Sequence, residues 1–215
     1  MTIIAAILFA LHLFFETLAT FVRYSYAALG VHMQGANYSN ILAILSRGFI
    51  ALYGLLVAVM IEKLNNNINV YIICMIFSFL ISASISLYFS KIKLITYEIK
   101  NIRIFKYKTS NEIFYKHKLS FLMSIFIGIQ FTAIVVAYAL CFKYKEFRLL
   151  IISLIPVFSM IGTLVTVLLV EPKFAKHIDV NRESGHVIAS VYLYARAISF
   201  SVSAGLLFLL WIFIK

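Results

Sequence analysis

The sequence predicts an all-α fold: a polytopic integral membrane helix bundle of about six transmembrane helices, in one domain over residues 1–215. Of the 215 residues, 63% are hydrophobic and 13% charged, with a mean hydropathy of +1.00. Soluble domains hold about 45–50% apolar and about 25% charged residues, so a soluble fold is excluded. Two prolines, eight glycines, 20 Phe and 13 Tyr describe long unbroken helices with aromatic flanks. None of the roughly ten-residue alternating segments of an outer-membrane barrel is present.

A span needs about 20 apolar residues, and six windows supply them: 3–22, 38–61, 70–89, 119–142, 149–170 and 187–214. The first has no Lys or Arg from Met1 to Phe15, so it lacks the positive flank of a cleaved signal and is expected to stay as a span. In the third, Ser78, Ser82 and Ser86 recur every four residues, a spacing suited to close helix packing more than to ligands. The longest connection, 90–118, holds eight Lys or Arg against Glu98 and Glu112, and its Ile, Phe and Tyr spacing is read as an amphipathic surface helix. Cys74 and Cys141 lie inside apolar runs, and no CxxC or Cys/His spacing accompanies them. Neither a disulfide, nor a metal, nor any other cofactor is expected.

Charge sets the orientation. The first, third and fifth connections carry twelve Lys or Arg, whereas the other two and the termini carry five. The positive-inside rule then puts the loop 91–118 in the cytoplasm and both termini outside a cytoplasmic (inner) membrane. The net charge of +11 clusters beside span ends, where anionic membrane lipids are the nearest partner, so no nucleic acid is expected.

Ionisable groups in the hydrocarbon layer cost about 2.5–3.5 kcal/mol each on insertion scales and usually face a cavity or a partner. In the first span His12, Glu16 and Arg23 fall within about 40° around a helix turning 100° per residue. Asn40 and Arg47, seven apart, share a face of the second span; Tyr192, Arg196, Ser199 and Ser203 share an arc of about 60° on the sixth. Counted from the side of the first and fifth loops, Glu16, Arg47 and Arg196 reach similar depths of about 10–14 Å. One acid between two deep arginines leaves a net positive site, suited to an anionic headgroup and above all to a diphosphate gripped by guanidinium forks. The competing reading is a structural ion pair that locks the bundle. The i,i+4 spacing of His12 and Glu16 also permits a proton-sensitive pair.

Enzyme motifs are thin. Ser184-Gly185-His186 is similar to the middle motif of membrane phosphatases acting on lipid phosphates. The companion Lys-x6-Arg-Pro and Ser-Arg-x5-His elements are missing, and no P-loop or Ser/His/Asp arrangement occurs.

Two stretches resemble a known family. Leu11-His12-Leu13-Phe14-Phe15-Glu16-Thr17-Leu18-Ala19, then Val22-Arg23, Asn40 and Ser46-Arg47, keep the family's spacing without a gap. Gly162-Thr163, then Glu171-Pro172-Lys173 and Asp179, is similar to its Gly-Thr and Asp-Pro-Lys elements, with Glu171 where the family has Asp. The family is the Amj-type lipid II flippases, an alternative to the MurJ-type flippase, and the two stretches cover about a third of the chain. The resemblance implies a flippase and not an enzyme. It would move an undecaprenyl-diphosphate-linked saccharide such as lipid II for peptidoglycan synthesis, cell-wall biogenesis and cell shape. Expected substrate-binding residues are Glu16, Arg23, Asn40, Arg47, Lys173 and Arg196. The alternatives are a membrane-embedded enzyme acting on polyprenyl phosphates and a non-catalytic envelope scaffold.

Overall fold

A computed structural model describes residues 1–63, 68–91, 95–98, 101–104, 118–165 and 184–214, with positions 168, 169, 172, 175, 176 and 179. Six helices form the body: α1 (Thr2–Ala28), α2 (His32–Lys63), α3 (Ile68–Lys91), α4 (Lys118–Lys143), α5 (Arg148–Val165) and α6 (Ser184–Ile214). All but α5 are long and apolar enough to cross a membrane. The chain is an all-α, multi-pass membrane protein. Its surface agrees: Leu55 is 66% exposed, Phe77 60% and Phe213 86%, apolar area that water would not tolerate in such quantity and lipid covers.

The helices outrun the apolar windows. Helix α1 continues six residues past Val22, and α2 begins six before Tyr38, because helical hydrogen bonding continues through the polar interface where the apolar pattern stops. Between them lies a three-residue turn. Gly30 takes a positive φ of 77°; its N–H donates to the Ala27 carbonyl, and the Val31 N–H donates to the Tyr26 carbonyl. That is the Schellman closure, which a side chain at position 30 would strain. The tight turn lays α2 antiparallel along α1. At Gly35 an added Cβ would sit 2.4 Å from Tyr26 Cβ, so only glycine permits this approach.

Helix α1 is the centre of the bundle, packing against α2, α3 and α6, while α3 also packs along α6. Ser78 donates to the Ala6 carbonyl, and Ser78, Ser82 and Ser86 are all buried, which is the close packing their spacing implies. Among the described residues helix α5 packs chiefly on α4.

Part of the third connection differs from expectation. Residues Ile95–Glu98 (β1) and Asn101–Ile104 (β2) form an antiparallel hairpin, with Ile95 opposite Ile104 and Tyr97 opposite Ile102. The run Ile95-Thr96-Tyr97-Glu98 then Asn101-Ile102-Arg103-Ile104 alternates apolar and polar with period two, which is a strand pattern and not a helical one. The rest of the expected surface helix, at 105–117, lies outside the described residues.

Candidate functional site

Four helices enclose a cavity of about 280 Å³ at the end of the bundle that carries the first and fifth connections. Helix α1 supplies Glu16, Thr20, Arg23 and Tyr24, α2 supplies Ser39, Asn40 and Arg47, α4 supplies Ile127 and Gln130, and α6 supplies Tyr192 and Arg196. Five of the six expected binding residues therefore line one space. The sixth, Lys173, lies outside the described residues, as does Glu171. Liquid water takes about 30 Å³ per molecule, so the cavity has room for on the order of nine waters.

The depth is real. Glu16 stands twelve residues before the end of α1, about 18 Å along the axis at 1.5 Å per residue. Its Oε1 accepts a hydrogen bond from Arg196 Nη2 at 3.1 Å, while its side chain remains one-third exposed towards the cavity. Arg196 is only 3% exposed. Its Nε and Nη2 both donate to the Tyr192 hydroxyl, at 3.0 and 2.7 Å, and Nη1 donates to Thr17 Oγ1 at 3.4 Å. The Tyr192–Arg196 spacing of four residues puts that hydroxyl under the guanidinium. The acid is thus paired across α1 and α6.

Arg47 is different. It is exposed on α2 beside Glu16's electrostatic reach, and it makes no hydrogen bond or ion pair among the described residues. Next to it, a Cβ on Gly48 would meet nothing within 4 Å. Helices α2 and α4 meet further along, where the Tyr138 ring stands edge-on to Tyr53 at 5.5 Å and its hydroxyl lies against Gly54. Arg47 from α2 and Gln130 from α4 both line the cavity. Arg23 lies exposed nearer the end of α1 and has an interaction of its own.

His12 is the buried neighbour of this site. Its Nδ1 lies 2.7 Å from Ser46 Oγ and 3.1 Å from the Ser46 carbonyl. The Ser46 hydroxyl in turn donates to the His12 carbonyl at 3.1 Å. A carbonyl has no proton to give, so Nδ1 carries the hydrogen and donates. The other nitrogen, Nε2, faces Glu16 Oε2 at 3.7 Å. The Phe131 ring closes the pocket edge-on at 5.6 Å from the imidazole.

Sequence reasoning found the charged residues and missed several neutral ones. Gln130 is the only side-chain amide in α4, and that rarity in an apolar helix was its signal. Ser46 was visible only as a companion of Arg47; its role as the anchor of His12 depends on the packing of α1 on α2. Thr20, Tyr24 and Ser39 carried no signal, since each is common near span ends. The backbone of Ser184-Gly185-His186 begins α6.

The fold and site define a multi-pass helical membrane protein with a charged cavity of about 280 Å³ inside its bundle. Comparison with protein-family models, curated proteins and solved structures gives no match, so the functional reading rests on the site.

Proposed function

We propose that the chain is a flippase of the cytoplasmic (inner) membrane that moves a polyprenyl-diphosphate-linked saccharide, such as lipid II, for peptidoglycan synthesis. One observation supports this above the others. Arg47 and Arg196, from different helices, share a cavity with one acid among the described residues, and that acid is hydrogen-bonded to Arg196, leaving Arg47 without a hydrogen-bonded partner among them. An uncompensated cation at this depth is costly and is retained where an anion visits. A diphosphate offers paired oxygens to a guanidinium, and a cavity of this size takes the diphosphate while the saccharide stays towards the mouth and the prenyl chain in lipid. In this reading the basic loop 91–118 faces the cytoplasm, both termini face outward, and Lys173 with Arg23 assists capture.

The scaffold reading draws on one specific observation: the Glu16–Arg196 pair at 3.1 Å ties α1 to α6. It explains that pair and leaves Arg47 without a purpose. The enzyme reading rests on Ser184-Gly185-His186 alone. The test is leaflet exchange in proteoliposomes of a short-chain, fluorescent polyprenyl-diphosphate-N-acetylglucosamine, beside a phosphatidylcholine analogue. Wild-type protein should accelerate only the diphosphate lipid, and Arg47→Leu should abolish the gain. Equal rates for both lipids, or no exchange of the diphosphate lipid, would overturn the proposal; phosphate release lost in His186→Ala would favour the enzyme.

A further inference from the structure

One carboxylate oxygen of Glu16 accepts no hydrogen bond among the described residues. This oxygen, Oε2, is buried and faces His12 Nε2 at 3.7 Å. Because Nδ1 is committed as the donor to the Ser46 carbonyl, a neutral His12 turns a bare lone pair on Nε2 towards a bare carboxylate oxygen. The gap is longer than a hydrogen bond, and no proton lies in it. A single added proton, carried by either atom, converts the contact into an N–H···O or O–H···N bond. A site that lacks one proton is thus built into α1.

The surroundings say what would bring that proton in. Facing the pair are Arg196 and Tyr192 from α6 and Ser46 and Arg47 from α2. Helix α1 adds Arg23 and Tyr24 towards the mouth; α4 adds the neutral Gln130 and Phe131, and α3 contributes no lining residue among the described residues. The charged lining residues Glu16, Arg23, Arg47 and Arg196 sum to two positive charges, but Arg23 stands towards the mouth, so the deep part around Glu16 keeps one. A diphosphate diester brings two negative charges, so at that depth its arrival sets an ionised Glu16 against it, with Arg196 already held by Glu16 and only Arg47 open. A proton on the carboxyl restores neutrality, and it frees Arg196 to turn its donors from Glu16 to phosphate oxygens.

We propose that the cavity binds its anion and one proton together, the proton entering from water onto the His12–Glu16 pair. This rests on the anionic-headgroup reading above and deepens it. The transported unit then carries one fewer negative charge, so leaflet exchange responds to a pH difference as well as to membrane potential. Linkage is reciprocal: if the anion draws in a proton, acid must tighten the anion.

The experiment uses full-length protein in lipid nanodiscs and farnesyl-diphospho-N-acetylglucosamine, whose two phosphates do not titrate near neutral pH. Titration calorimetry in buffers of different ionisation heat should give uptake of about one proton per ligand. The Kd should weaken by up to about tenfold per pH unit as pH rises. In Glu16→Gln the uptake should vanish and the Kd should become flat with pH. A ligand-induced protonated-carboxyl band in the infrared spectrum of the wild type gives a second readout that needs no variant. Binding with zero proton uptake and no such band would overturn the linkage and leave the flippase reading standing. Uptake that persists in folded Glu16→Gln would overturn the assignment to this pair. Failure to bind the probe better than a neutral farnesyl glycoside would overturn both proposals.

Discussion

The two ends of the bundle use arginine in opposite ways. At the end carrying the second and fourth connections, Tyr53 and Tyr71 are hydrogen-bonded through their hydroxyls, Phe9 lies 5.0 Å from Tyr53, and Tyr71 lies 5.3 Å from Phe142. There Arg148 donates through Nε to the Cys141 carbonyl at 3.1 Å and through Nη2 to the Ile61 carbonyl at 3.0 Å. Both carbonyls belong to the last turns of their helices, α4 and α2, where backbone acceptors have no intrahelical donor. The arginine closes two helix ends, and their dipoles favour its charge. At the cavity end Arg196 takes a carboxylate and a tyrosine hydroxyl, and Arg47 takes nothing among the described residues. The difference teaches that an arginine in this bundle is read from the acceptors around it. Where they are backbone carbonyls at helix ends the residue is structural, and where they run short the site awaits an acceptor.

The comparison breaks most visibly through Glu16. Replacing it by leucine strands Arg196, which is 3% exposed, and breaking a buried pair by removing one partner costs about 3–5 kcal/mol. Cavity water moderates this towards the lower figure. Glu16→Leu should therefore lower the midpoint of thermal unfolding in detergent more than any other change discussed, and abolish leaflet exchange. A loss smaller than that of Arg148→Met would show that the polar end is not held by this pair. Arg148→Met itself leaves the Ile61 and Cys141 carbonyls to interfacial water. It should cost about 1 kcal/mol, near the typical value of a hydrogen bond, and leave exchange per folded molecule unchanged. Reduced exchange at full folding would join the two ends functionally and dissolve the contrast.

Much of this contrast was legible in the chain. Apolar runs of about 20 residues announce spans because the bilayer demands them, and five of the six windows fall in helices long and apolar enough to cross a membrane. The charged stripe was legible for the same reason, since each ionisable group there is costly enough to require a partner or a cavity. The choice of partner was not. Arg47 and Arg196 reach similar depth along their helices, and only the packing of α6 against α1 gives Glu16 to Arg196. Periodicity did carry the hairpin at Ile95–Ile104, but basic composition beside a membrane drew the reading towards a surface helix. Ser46 could not be foreseen, because a serine announces nothing until a histidine from another helix arrives at it.

The smallest structural change gives the sharpest comparison. Arg47 is exposed and unpaired among the described residues, so Arg47→Lys should shift stability by no more than about 0.5 kcal/mol, as surface substitutions generally do. Charge is retained. What disappears is the planar fork, which engages two phosphate oxygens at once, whereas an ammonium is a compact and strongly hydrated point charge. Losing one charge-assisted hydrogen bond costs about 1.5–3 kcal/mol, so affinity for the diphosphate lipid should fall at least tenfold while the unfolding midpoint stays fixed. Binding isotherms of Arg47→Lys beside Arg148→Lys, with unfolding curves for both, measure this directly. If Arg47 served only to balance charge, lysine would serve as well, and an unchanged Kd in Arg47→Lys would remove the guanidinium from the account of this cavity.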